Sequence, residues 1–160
     1  MDKRASNRQD RLIKERRHDA YRRRTKLQDP TVCTECGALY TTGRWTWQEP
    51  PENANKITCP ACRRQSEKFP AGVVHLGGGF FYDHREEIMN LVHNVEKLEK
   101  NERPMERIMH VEKDNGNTMV TTTGVHVARR IGEALSRAFK GDLSYQYGSE
   151  DQSIRVDWQR

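Results

Sequence analysis

Four cysteines carry the clearest chemistry in this sequence. They fall in two pairs, Cys33-x-x-Cys36 and Cys59-x-x-Cys62, with twenty-two residues between the pairs. Each pair can aim two thiolates at one point, and two such pairs supply the four sulfurs that a tetrahedral structural zinc ion takes. Gly37 follows the first pair, where a knuckle can use a positive φ. Pro60 presets φ at the start of the second turn. Four thiolates leave no open coordination position, so one Zn2+ held by Cys33, Cys36, Cys59 and Cys62 is structural and not a catalyst. It would supply folding energy to a segment with almost no core of its own. A thioredoxin-like redox pair needs a βαβ setting that neither pair has.

A second chemistry is basic. Residues 1–30 hold eleven Lys or Arg against five Asp or Glu, while the whole chain has a net charge of +5. The arm thus accounts for the entire positive excess and leaves the remainder near neutral. With Leu12, Ile13, Tyr21 and Leu27 as its sizeable apolar residues beyond Met1, it cannot offset its ordering entropy and is expected to be disordered when free. Arg16, Arg17, Arg22, Arg23, Arg24 and Lys26 are the expected phosphate contacts, ordering along RNA by counterion release. Arg44 between the cysteine pairs and Arg63 and Arg64 after them are expected to add contacts. Trp45 and Trp47 offer rings for base stacking, but at least one of them is expected in the small core of the ribbon.

No catalytic set emerges. His75, His84, His93, His110 and His126 are scattered without ligand spacing, and no Gly-Lys-Ser/Thr follows Gly77-Gly78-Gly79, so neither a second metal site nor a phosphate loop is indicated. No nucleophile, base and orienter come together, and the chain is expected not to be an enzyme and to have no small-molecule substrate.

The elements that must position these residues are legible in outline. Apolar residues make up 34% and charged residues 32% of the chain, too few apolar groups for one large core. The sequence divides into a basic arm (1–30), a four-cysteine zinc ribbon (31–70) and an α+β domain (71–160). In the ribbon, strands are expected around Arg44 to Trp47 and entering Cys59, with both cysteine pairs in knuckles at the ends of hairpins. In the last part, residues 71–76 read as a strand and Phe80 to Tyr82 as a second extended piece. Ile88, Leu91, Val92, Val95 and Leu98 form one helix face, with Asp83 as N-cap and Glu96 paired to Lys100. Strands over Glu106–Glu112 and Thr118–Thr123 flank the hairpin signal Asp114-Asn115-Gly116-Asn117. Val127, Ile131, Leu135 and Ala138 mark a second helix that Gly141 closes. Alternation at Leu143, Tyr145 and Tyr147 and at Ile154, Val156 and Trp158 marks two more strands. The fold class is α+β: a zinc ribbon followed by a split-βαβ-like unit in the order β-α-β-β-α-β-β, with two helices on one face of a mainly antiparallel sheet. Arg129, Arg130, Arg137 and Lys140 lie off the apolar face of the second helix, as a basic surface or as an ordinary face balanced by Glu133.

Two resemblances follow from these motifs. Cys33-x-x-Cys36-Gly37-x-x-Tyr40 with Cys59-Pro60-x-Cys62 resembles rubredoxin, which implies iron and electron transfer; Arg63 stands where that pattern has Gly, and the flanks are basic. Zinc and iron both accept such a site. The two pairs followed by an α/β unit also resemble the N-terminal part of the archaeal and eukaryotic large ribosomal subunit export adaptor, of the nonsense-mediated decay family. Residues Gly124 to Trp158 look like that family's glycine-led helix and two strands, and a shorter bacterial family shares the plan. The resemblance covers residues about 33 to 158 and implies binding to the large ribosomal subunit. The further cysteine pairs, second zinc and later domains of the adaptor are absent, the arm is not part of its pattern, and nuclear export is not carried over. Only the four zinc ligands transfer by residue.

The expected function is therefore a non-enzymatic, ribosome-associated RNA-binding factor, acting on ribosomal RNA in assembly, protection or hibernation. A protein-interaction adaptor with a basic arm is the alternative, and a rubredoxin-like electron carrier a lesser one. The α+β domain could meet a protein partner. No apolar run is long enough to span a membrane, and the basic N-terminus lacks a signal-peptide core, so a cytoplasmic location is expected.

Overall fold

The computed structural model describes residues 27–149 and 152–160. Arg16, Arg17, Arg22, Arg23, Arg24 and Lys26 of the basic arm lie outside the described residues.

The first sheet is small. Strands β1 (Thr31–Cys33), β2 (Leu39–Thr41), β3 (Arg44–Thr46) and β4 (Asn55–Ile57) lie in the order β3-β2-β1-β4. β1 and β2 pair antiparallel across the first cysteine knuckle. β2 turns into β3 through Thr42 and Gly43, both at positive φ, the backbone that suits a two-residue hairpin. Asp29 anchors that turn by accepting the Thr42 N–H at 2.8 Å. β4 runs parallel to β1 and delivers the chain to helix α1 (Pro60–Glu67). Here the structure differs from expectation. The second cysteine pair occupies the first turn of a helix and not a hairpin knuckle. Cys59 is the N-cap and Pro60 sits in the first turn, where its missing N–H leaves no hydrogen bond unmade.

The remaining chain follows the expected order with one added short helix. Strand β5 (Gly72–Gly77) leads into helices α2 (Gly79–Asp83) and α3 (Arg85–Glu102). Then come β6 (Ile108–Asp114), β7 (Asn117–Thr122), helix α4 (Val125–Phe139), β8 (Asp142–Tyr147) and β9 (Ile154–Gln159). The sheet order is β6-β7-β5-β9-β8. β7 is antiparallel to both β5 and β6 and lies between them, so the β5-α3-β6 unit is split. β5 and β9 form the parallel pair of this sheet. Asn115 and Gly116 make the β6–β7 turn, both at positive φ, as the Asn-Gly signal demands.

The core lies between the helices and this sheet. Ile88 and Val92 of α3 and Val127, Ile131 and Leu135 of α4 bury against Val74, Leu76, Val120, Ile154, Val156 and Trp158. Gly132 lets α4 approach the sheet: a Cβ there would stand 2.8 Å from Val156 and 3.0 Å from Leu143. Both predicted helix faces run past the core. Leu98 is 70% exposed, and Ala138 is exposed as well.

Phe80 to Tyr82 are helical, not extended. Phe81 buries edge-on against Trp158, and Phe80 stacks on His84 one turn later with ring centroids 4.0 Å apart. These contacts favour a helical turn over a strand. Asp83 consequently ends α2, and His84 takes the N-cap position of α3 without a side-chain cap bond. Glu96 does not turn to Lys100 but accepts the Ile108 N–H at 3.2 Å, tying α3 to β6.

Candidate metal centre

The knuckle and the helix start bring four sulfurs together. The Sγ atoms of Cys33, Cys36, Cys59 and Cys62 all lie within 4.8 Å of one another. Cys33 and Cys62 are 3.8 Å apart, as are Cys36 and Cys59. A tetrahedron with metal–sulfur bonds of about 2.3 Å has edges of about 3.8 Å, so these separations fit one ion at the centre. A disulfide needs sulfurs about 2.05 Å apart, and all four thiols are free.

Local backbone explains how the cage is aimed. In the knuckle, Cys33 N–H donates to Ala38 O at 2.8 Å and Gly37 N–H to Cys33 O at 3.0 Å. Gly37 has φ of 80°, a conformation that glycine reaches without strain. Glu35 and Cys59 N–H groups donate to Cys33 Sγ at 3.4 and 3.2 Å. At the helix start, Cys62 N–H donates to Cys59 Sγ at 3.4 Å. Such N–H donors stabilise thiolate charge without occupying a coordination position.

The electrostatics follow from this geometry. Burial works to raise the Cys33 thiol, but N–H groups from Cys59, Cys36 and Glu35 outweigh it and hold it down at about 6. Burial pushes Cys59 far up, helped by the neighbouring Cys36 charge. Burial also raises Cys62, against donation from Arg107. Crowded sulfurs thus resist carrying several negative charges at once, a conflict that a divalent cation removes by replacing the protons.

Arg107 is the residue that sequence reasoning missed. It is 4% exposed, and its guanidinium donates to Cys62 Sγ at 3.3 Å, to Cys36 Sγ at 3.0 Å and to Cys59 Sγ at 3.7 Å. Burial opposes its charge, yet the sulfurs outweigh burial and strengthen its hold on the proton. Because it lies 45 residues from Cys62 in the sequence, no spacing pattern marks it. Met105, from the same segment, packs on the cage beside Trp45.

The other predicted contacts separate clearly. Arg44 and Arg63 are exposed at the edge of the ribbon, with Arg63 3.5 Å from Glu67. Arg64 is buried at 5% exposure, and its guanidinium donates to Phe69 O at 3.1 Å. Its place on the inner side of α1 corrects the expectation of a surface contact. Trp45 serves the ribbon core, as expected for one of the two indoles. Trp47 is half exposed, and its Nε1–H donates to Lys100 O at 2.7 Å, joining the ribbon to the last turn of α3. On α4, Arg129 lies 3.1 Å from Glu133, and Arg130 lies 3.6 Å from both Glu99 and Glu133, so carboxylates balance that part of the face. His126 Nε2 stands 3.0 Å from Glu99. Among the described residues the four cysteines are the one set with metal-ligand geometry, and no helix is long and apolar enough to cross a membrane.

No protein-family model, curated protein or solved structure matches this chain.

Proposed function

We propose that the chain is a zinc-ribbon RNA-binding factor that associates with the ribosome. The observation that carries the metal half of this reading is the cluster of four sulfurs, all within 4.8 Å of one another and with two opposite separations of 3.8 Å. Zinc suits it because zinc takes four thiolates in a closed tetrahedral site and holds them without redox change. Iron would suit the same geometry, and metal analysis separates the two: zinc protein is colourless and iron protein is red.

The RNA half is supported by charge. The arm concentrates eleven basic residues within thirty positions, and Arg44 and Arg63 are exposed on the ribbon. Ribosomal RNA in the large subunit is the first target to test, with a role in assembly, protection or hibernation. The α+β domain then positions the ribbon and arm.

Sedimentation of the tagged protein with ribosomal particles, at constant magnesium and two salt levels, tests this. Co-sedimentation at low salt should weaken sharply between about 50 and 200 mM salt, as expected when several phosphates are neutralised. Removal of residues 1–26, which spares the Asp29 anchor of the β2–β3 turn, should abolish most of the association while leaving metal content unchanged. Binding that ignores salt, or survives that deletion, would remove the arm from the mechanism. A partner that stays bound after nuclease treatment would instead identify a protein-interaction adaptor.

A further inference from the structure

We propose that Arg107 makes docking of the ribbon on the α+β domain depend on the metal. This rests on the metal reading above. The residue belongs to the α+β domain by its backbone. Its N–H donates to Thr123 Oγ1 at 2.9 Å, its carbonyl accepts the Thr123 N–H at 2.9 Å, and its Nε donates to Pro104 O at 2.7 Å. Its guanidinium leaves that domain and ends on three sulfurs of the ribbon. A buried cation needs a fixed counter-charge, and four thiolates around a divalent ion carry an excess of negative charge. The loaded cage is therefore the counter-ion of Arg107. Without the ion nothing holds the four sulfurs in one fixed cluster, and the guanidinium loses the acceptor geometry it binds.

The strap that carries Arg107 links the cage to more than one element. Met105 packs on the cysteines. Glu106, between them, points the other way and accepts the Val127 N–H in the first turn of α4 at 3.1 Å. Gly124 makes room for this: a Cβ there would overlap the Glu106 carboxylate. Trp47 provides a second strut, its ring 5.7 Å from the Arg107 guanidinium and its N–H on Lys100 O. Metal occupancy is thereby coupled to the start of α4 and the end of α3, and Arg107 acts as a positioning residue of the metal centre.

The test uses the full chain loaded with zinc: wild type, Arg107→Met and Arg107→Lys. Three quantities are read: zinc affinity by chelator competition, iodoacetamide alkylation of the metal-bound thiolates, and hydrogen exchange over residues 97–107 against strands β5, β7 and β9. Loss of the N–H···S donors should weaken zinc binding about 10- to 100-fold and speed alkylation in Arg107→Met. Exchange over 97–107 should rise while the three strands stay protected. Arg107→Lys, which keeps the charge but not the forked geometry, should recover part of each effect. Chelation of the wild-type chain should expose the same segment, and this arm needs no variant to fold.

Unchanged affinity and unchanged protection in Arg107→Met would overturn the role of Arg107. So would a wild-type segment that stays protected after chelation, or a loss of protection spread equally over the core strands. A wild-type chain that holds no zinc would overturn the metal reading itself.

Discussion

The ribbon and the α+β domain reach stable folds by opposite means. In the ribbon the buried cluster consists of Cys33, Ala38, Cys59 and Ala61, which is too little apolar surface to offset the ordering of some forty residues. In the α+β domain thirteen buried apolar residues form a single cluster. Four clustered cysteines stand where the first lacks a core, and carbon packing holds the second. Arg107 and Trp47 join them, so the junction uses both kinds of chemistry.

The sharpest way to break this comparison is to remove one ligand. Cys59→Ser should take bound zinc from one ion per chain to nearly none and unfold the ribbon, because metal binding here is folding energy of about 10 kcal/mol or more. Strands β5, β7 and β9 should keep their hydrogen-exchange protection. Metal analysis and exchange on the same sample check both halves. A Cys59→Ser chain that keeps its metal would contradict the four-thiolate assignment.

The converse substitution is Leu135→Ala, in the core under α4. It should lower the free energy of unfolding of the α+β domain by about 3 kcal/mol, read from denaturant midpoints, with zinc affinity unchanged. A matching loss of metal would mean the two units do not separate as described.

Gly124→Ala comes next. The new Cβ would displace the Glu106 carboxylate from the start of α4, at a cost of about 1–3 kcal/mol. Glu106 itself sharpens the picture through pH. Burial raises its carboxyl above the ordinary 4.5, against the Val127 N–H and the nearby His126 charge. The folded state therefore binds this proton more tightly than the unfolded state. Its contribution to stability is fully present below the ordinary carboxylate range and lost as pH rises through the raised value. Glu106→Gln, permanently neutral, should flatten that fall in stability above the ordinary carboxylate range. An unchanged slope would place the titration elsewhere.

The smallest expected effect on stability is at the exposed rim. Arg63→Ala removes a surface pair with Glu67 and should change stability by less than about 0.5 kcal/mol. If the ribbon meets phosphate, the same change should reduce the salt slope of RNA binding by about one. Equal slopes would exclude Arg63 from the interface.

Much of this was legible in the residues. The paired spacing marked the four sulfurs because metal geometry repeats itself in sequence. Asn115-Gly116 marked a turn because few residues tolerate its dihedrals. The alternation and the 3.6-residue faces gave the order of strands and helices because one side of each meets the core. What escaped depends on distance through space. Arg107 is one arginine among many until the β6–β7 ladder places it beside Cys36 and Cys62. Arg64 looked like Arg63, yet a one-residue step on a helix turns a side chain through about 100°, and it faces inward. Phe80 to Tyr82 read as extended because three aromatics favour strands, but packing of Phe81 on Trp158 decided the matter. Leu98 kept the helical period after α3 had passed the sheet, so periodicity overstated the buried face.

The most direct test of the account is native mass spectrometry of the purified full chain, with Cys59→Ser beside it. The wild type should carry one zinc ion, its mass showing that the thiol protons have been displaced, and the variant should carry none. A wild-type chain with iron, with two disulfides or with no bound metal would contradict the zinc centre on which the ribbon, its junction with the α+β domain and the proposed function depend.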